Sequence, residues 1–224
     1  MKIDVLVFGP HPDDAEIGAG GLLLKMKSLG HTTGIIDMTR GDLGWGTPEE
    51  RDRECAEAAK ILKLDVRENL DLGDWQIEDT FENRCKVAAA LRKHRPEIVF
   101  APYYDIPPGR GLGHNDHFKT GILVAQAFNL AHLKKAPVEG EPYQVKALFY
   151  YFLPPTVRPS FVCRHRLADA ARPVLSERGA EDGKDHRRAG RKTDRRGRVD
   201  RIVEREVAEV RVRHGREGRL GGRS

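Results

Sequence analysis

Short apolar runs alternate with amphipathic stretches as far as residue 161. Ile3-Asp4-Val5-Leu6-Val7-Phe8, Thr33 to Met38, Glu97 to Ala101 and Val145 to Phe152 have the length and composition of buried strands. Asp65 to Asn69 is a weaker strand candidate. Between these runs the pattern changes to helical. Ala15 to Leu29 carries Ile17, Leu22, Leu23, Leu24 and Met26 as an apolar stripe and ends near Gly30. Thr47-Pro48-Glu49-Glu50 opens a second helix that runs to Leu62. Thr47 is its N-cap, Pro48 takes the first helical position, and Glu50 completes a capping box. Thr80 or Asp79 caps a third helix from Phe81 to Lys93, which must stop before Pro96. His117 to His132 reads as the fourth. The alternation predicts an α/β, Rossmann-like doubly wound fold, with a mainly parallel sheet and helices on both faces.

Charge divides the chain. The net charge of +5 and the pI of 9.1 suggest a nucleic-acid partner at first sight. Residues 162–224 hold 19 Lys and Arg against 11 Asp and Glu, whereas residues 1–161 hold 20 against 23. The aromatic residues all lie at or before Phe161, and Arg supplies 17 of residues 163–224. The expectation is a mildly acidic globular domain over 1–161 and an atypical Arg-rich tail over 162–224. Acidic residues interrupt the tail throughout, so nucleic-acid binding is not expected of it. The expectation is that residues 162–224 are translated out of frame in a GC-rich gene, from just after Val162, or are otherwise not native to the fold. Cys55, Cys85 and Cys163 are odd in number and widely spaced, which fits reduced thiols in a cytoplasm. Met1-Lys2 runs straight into a strand, so no signal peptide is expected. No apolar run approaches the ~18 residues of a membrane span.

Candidate chemistry begins at Pro10-His11-Pro12-Asp13-Asp14, the turn between the first strand and the first helix. Ligands of open α/β sheets bind at such carboxyl ends. A His beside two carboxylates there calls for a divalent cation. The alternative is that Asp13 or Asp14 caps the helix and His11 is a turn residue. Gly18-Ala19-Gly20-Gly21 lies inside the helix rather than in the turn before it, so it does not mark a dinucleotide site. Close helix–sheet packing is the expected role of these glycines.

His114-Asn115-Asp116-His117 follows the fourth strand candidate. If strands one and four are neighbours, the two motifs face each other across the switch point. Otherwise His114 and His117 form a polar helix start on the surface. Two His and one carboxylate with an open position is the pattern of a catalytic zinc. His11 and Asp14, three residues apart, can converge on one metal, leaving Asp13 to face the water position. His114, held by Asp116, is a candidate acid or oxyanion donor.

At these residues the chain resembles the LmbE-like, or PIG-L, family of zinc-dependent N-acetylglucosamine deacetylases. The resemblance covers roughly residues 1–161 and rests on the Pro-His-Pro-Asp-Asp turn and the His-x-Asp-His motif. It implies that His11, Asp14 and His117 bind one zinc per chain, with Fe2+ or another divalent metal able to substitute. It implies Asp13 as general base and His114 with Asp116 as a charged pair near the oxyanion. The family commonly has Arg-His-Pro-Asp-His; here Leu112-Gly113 precede His114 and Asn115 replaces Pro. Thr39-Arg40-Gly41-Asp42, Gly46-Thr47-Pro48-Glu49-Glu50-Arg51, Glu54 and Lys134-Lys135-Ala136-Pro137 most resemble the bacillithiol-pathway branch, whose substrate is N-acetylglucosaminyl-malate. By that similarity Asp42, Arg51 and Asp74 contact the small amino-sugar substrate, and the chain forms a homo-oligomer, a hexamer. Arg51 could fork onto a malate carboxylate, and Asp42 or Asp74 could accept from sugar hydroxyls; otherwise they are surface charges. The rival enzyme, a nucleotide-binding oxidoreductase, would need a Gly-rich turn at residues 9–14, which is absent.

Overall fold

The structure, a computed structural model, describes residues 2–44, 46–105 and 115–163. His114 and the tail from residue 164 lie outside the described residues, and so do the expectations that fall on them. The element order is β1 (Val5–Gly9), α1 (Asp14–Ser28), β2 (Thr33–Asp37), α2 (Pro48–Leu62), β3 (Val66–Asn69), α3 (Phe81–His94), β4 (Ile98–Pro102), α4 (Asn115–Leu130) and β5 (Ala147–Tyr151). Each element expected from the sequence is present, with its ends slightly shifted. Two shifts matter. The first helix begins at Asp14 and the fourth at Asn115, so Asp14, Asp116 and His117 all sit in a first helical turn.

The five strands form one parallel sheet in the order β3-β2-β1-β4-β5. β1 pairs with β2 on one side, Val5 opposite Thr33, and with β4 on the other, Val5 opposite Ile98. The chain therefore winds outward from β1 to β3 and returns to β4, which makes the β1–β4 boundary the switch point. β1 and β2 are buried at every position, as central strands covered on both faces must be. Side chains alternate between faces. Leu6, Phe8, Ile36, Met38 and Val99 join Leu91 of α3 and Leu123 of α4 in one core cluster. α3 packs on α4, and α1 on α2.

Local sequence explains the helix starts. Glu50 N–H donates to Thr47 Oγ1 at 3.2 Å, and Thr47 N–H donates to Glu50 Oε2 at 2.8 Å, closing the expected capping box of α2. Thr80, rather than Asp79, caps α3, accepting from Asn83 N–H at 3.2 Å. Asp79 instead takes Arg84 in a forked pair at 2.6 and 2.7 Å. The far end of α4 is held by buried Arg92, which donates to the carbonyls of Ala131, Leu133, Val138 and Gly140. The Ala131 carbonyl also accepts the Tyr143 N–H at 3.0 Å, so one guanidinium helps fix the passage from α4 to β5.

Gly18 bears out helix–sheet packing. A Cβ there would lie 2.2 Å from the Tyr151 ring of β5. Tyr151 is buried, and its hydroxyl donates to the Phe8 carbonyl of β1 at 2.8 Å.

Candidate metal centre and active site

The Pro10–Asp14 turn does not cap the helix in the ordinary way. Asp13 occupies the N-cap position of α1 without a side-chain cap bond, at φ 122° and ψ −32°. A non-glycine residue is strained at that φ. The strain leaves the Asp13 carboxylate exposed at the end of β1 and lets Asp14 turn inward. Asp14 is buried, and its Oδ2 accepts the His11 backbone N–H at 3.1 Å.

Asp14 also divides its carboxylate between two imidazoles. Its Oδ2 lies 3.0 Å from His11 Nδ1, and its Oδ1 lies 3.3 Å from His117 Nε2. β1 delivers His11 and α1 delivers Asp14, while His117 comes from α4 after β4. The pairing of β1 with β4 therefore brings together residues more than 100 positions apart. His11 Nε2 faces two further carboxylates, Asp74 Oδ1 at 3.1 Å and Asp116 Oδ2 at 3.2 Å. Both acids are buried. Asp116 Oδ2 also accepts the Trp75 backbone N–H at 2.9 Å, and Asp74 Oδ2 accepts that of Leu43 at 3.0 Å.

This arrangement fits a cation. A neutral imidazole has one N–H, yet both His11 nitrogens face carboxylates. If Nε2–H serves Asp116, the Nδ1 lone pair confronts Asp14 unless a proton or a metal lies between. Burial opposes charge on His11, but Asp14, Asp74 and Asp116 outweigh it and raise its pKa above the ordinary value. The donor atoms of His11, Asp14 and His117 lie within 4.8 Å of one another, and so do those of His11, Asp74 and Asp116. The first set, two nitrogens and one carboxylate, suits zinc and other borderline divalent ions. In it, Asp116 stands behind His11 as a carboxylate that fixes the tautomer of a ligand.

Asp13 is held above the ordinary carboxyl pKa by desolvation and by the adjacent Asp14, against the pull of Arg51. Arg51 is half-buried on α2, 3.5 Å from Glu54, with its Nε buried and lacking a hydrogen-bond partner among the described residues. Its Nη2 lies beside the Gly41–Gly44 turn, 3.3 Å from where a Cβ on Gly44 would be. Asp42 is exposed on that turn.

Comparison with known proteins places this architecture. Residues 6–128 match the family described as PIG-L, GlcNAc-PI de-N-acetylase. The chain belongs to the PIG-L family. It is 31% identical over 170 residues to the diacetylchitobiose deacetylase of Thermococcus kodakarensis, a match covering 70% of this chain and 61% of that protein. Among solved structures, a conserved protein of Thermus thermophilus is 48% identical with a TM-score of 0.65, covering 71% of this chain and 70% of that one. The N,N'-diacetylchitobiose deacetylase of Pyrococcus horikoshii is 27% identical with a TM-score of 0.66, covering 77% of this chain and 67% of that one.

In this PIG-L chain, Asp74 is withdrawn from solvent beside His11, whereas Asp42 and Asp13 are open to it. Asp116 meets His11 and the Trp75 amide; its expected partner His114 is outside the described residues. Sequence reasoning missed Trp75, an exposed residue whose backbone N–H donates to Asp116, and Phe152, whose ring stacks on His117. No spacing rule could reveal either. Trp75 is placed by a left-handed backbone at φ 61°, and Phe152 by the end of β5.

Proposed function

We propose that this chain is a metal-dependent N-deacetylase, hydrolysing the acetamide of an N-acetylglucosamine-containing substrate to acetate and a free amino sugar. The observation that carries the reading is the His11, Asp14 and His117 group with the exposed Asp13 carboxylate next to it in sequence. His11, Asp14 and His117 would hold the ion, zinc by donor chemistry, with Fe2+ as the substitute. A divalent ion so held supplies polarisation of the amide carbonyl and a water acidified to a pKa of about 7.

The protein's own groups do the rest. Asp13, with its raised pKa and open face, takes the proton of the attacking water. It then returns a proton to the leaving amine, a task His114 could share. His114 is assigned as a donor to the developing oxyanion. Asp116 and Asp74 keep the His11 imidazole in one orientation. Arg51, with a buried Nε lacking a hydrogen-bond partner among the described residues, suits a substrate carboxylate, and exposed Asp42 suits a sugar hydroxyl. That charge pattern supports N-acetylglucosaminyl-malate, the bacillithiol-pathway substrate, over an uncharged disaccharide.

The relative from Thermococcus kodakarensis is longer, and this chain spans about three fifths of it. We assign the deacetylase domain to residues 1–161 and treat residues 162–224 as translated out of frame. We further assign a cytoplasmic location and a homo-hexameric assembly. No described helix is long and apolar enough to cross a membrane. Acetate release, measured with added Zn2+ on N-acetylglucosaminyl-malate and on N,N'-diacetylchitobiose, tests the function. Weak release favouring the malate compound is expected. Release from neither substrate, with metal bound, would sink the reading. Reading the coding DNA in its other two frames after Val162 tests the tail: one frame should give an aromatic-bearing continuation.

A further inference from the structure

We propose that Phe152 is a positioning residue for His117, fixing the plane of the imidazole for metal binding; this rests on the assignment of His11, Asp14 and His117 as ligands.

Three observations converge on Phe152. The first is conformational. Phe152 follows directly on β5 with φ 56°, in the left-handed region. Glycine or asparagine enters that region cheaply, whereas a bulky aromatic does so at a cost. A strained residue that keeps its side chain is a sign that the side chain's position matters. The second is the contact obtained. The Phe152 and His117 rings are stacked, with centroids 5.7 Å apart and planes 17° from parallel. The third is the backing. The Tyr151 ring meets Phe152 edge-on, at 4.7 Å and 71°. Tyr151 is itself pinned under the sheet by its hydrogen bond to the Phe8 carbonyl, close to the ligand turn.

A rigid line thus runs from β1 through Tyr151 and Phe152 to the His117 face. On its edge the same imidazole meets Asp14, with Nε2 3.3 Å from Oδ1. A hydrogen bond sets the direction of one ring nitrogen but leaves rotation about that axis open. A flat ring stacked on the face removes that freedom. The left-handed turn at residue 152 is what swings the ring from the strand end onto α4. A right-handed or extended residue would send it elsewhere.

The test uses the full chain, freed of metal and titrated with Co2+ alone. Affinity is read from the visible bands of the ion, release from chelator competition, and folding of the apo protein from thermal melting. Phe152→Gly relieves the backbone but gives up the ring's contacts with His117 and Tyr151, so affinity is read well below the apo melting transition of each variant. The Co2+ affinity of Phe152→Gly should fall by about tenfold or more, the usual penalty for losing support behind a ligand, with altered bands and faster release. Phe152→Tyr, which restores a flat ring, should recover affinity and spectrum, and Phe152→Leu should not. Wild-type affinity in Phe152→Gly or Phe152→Leu, or a loss in Phe152→Tyr equal to that in Phe152→Gly, overturns the inference while leaving the ligands in place. A wild-type chain that binds no Co2+, or His117→Ala binding like wild type, removes the ligand assignment itself and the inference with it.

Discussion

One oxygen of Asp14 serves His11 twice: Oδ2 accepts the His11 backbone N–H at 3.1 Å and lies 3.0 Å from the Nδ1 of its ring. The first contact closes the turn and the second aligns the imidazole. The carboxylate that shapes the loop is therefore the one we propose as a metal ligand. Removing it should damage both. Asp14→Ala, His11→Ala and His117→Ala should each lose the divalent ion, measured as metal per chain after dialysis. Asp14→Ala should in addition lower the melting temperature of the apo protein more than His117→Ala does. Full occupancy in both His variants would refute the ligand set.

The Asp13 carbonyl accepts the Ile17 N–H at 2.8 Å, but its side chain makes no cap bond. Asp13→Asn is nearly isosteric but cannot take a proton from water. It should keep the metal and lose turnover by roughly a hundredfold or more. The loss should fall on kcat, with little change in metal content. Near-normal kcat would move the base elsewhere, with His114 next in line.

Much of this site is legible in the sequence. The apolar runs mark the strands, the Thr47–Glu50 box marks the start of α2, and β–α alternation implies that β1 and β4 meet. That adjacency is enough to unite His11 and Asp14 with His117. Two kinds of feature are not legible. The burial of Asp74 and Asp116 against His11 depends on pairs 63 and 105 residues apart, which no local pattern encodes. The left-handed conformations of Asp13, Trp75 and Phe152 oppose local propensity, since these are not glycines. Tertiary contacts hold them, and these are the positions that shape the candidate site.

The glycine run in α1 divides into two kinds of position. A Cβ on Gly18 would lie 2.2 Å from Tyr151 Cδ2, while one on Gly20 would meet only Leu62, at 3.8 Å. Alanine gains about 1 kcal/mol over glycine in a helix interior. At residue 18 that gain is overrun by displacement of a buried ring, a cost of about 1–3 kcal/mol. Urea unfolding should find Gly18→Ala destabilised and Gly20→Ala neutral or stabilised. Gly18→Ala should also weaken metal binding, because Tyr151 backs Phe152.

Glu97 sits at the other end of the sheet, away from the site. It takes Lys146 at 2.9 Å and Lys2 at 3.0 Å, joining the starts of β4 and β5 to the N-terminal segment. Hydrogen bonds from Lys146 and Lys2 hold its pKa down at about 2. A carboxylate depressed in the folded state adds stability above its unfolded pKa of about 4.5 and loses it as pH falls toward about 2. Stability should therefore decline across that acid window, and Glu97→Gln should flatten the decline. A Glu97→Gln protein with the wild-type slope would show that other acids carry it.

Arg67 of β3 makes the opposite case, because its partner is buried. Its Nε and Nη2 fork onto Asp37 of β2 at 2.8 and 3.2 Å, and Nη1 reaches Glu16 of α1 at 2.6 Å and the Cys55 carbonyl of α2 at 3.2 Å. One guanidinium thus binds two strands to two helices on the α1–α2 face. Burial pushes the Asp37 carboxyl up to about 6 despite the opposing pull of Arg67. Raised in this way, Asp37 favours folding below its unfolded pKa and loses that contribution as pH rises through about 6. Arg67→Met removes the pull and leaves a buried charge unpaired, which costs about 3–5 kcal/mol when the charge persists. The deficit should be largest at pH 8. It should narrow on acidification, because Asp37 can then enter the fold protonated and neutral. Asp37→Asn in the Arg67→Met background should recover part of the loss at pH 8 and little at pH 5. Denaturant unfolding of the three chains at both pH values measures this. A deficit independent of pH would show that Arg67 acts through packing of its alkyl stem and not through the Asp37 charge.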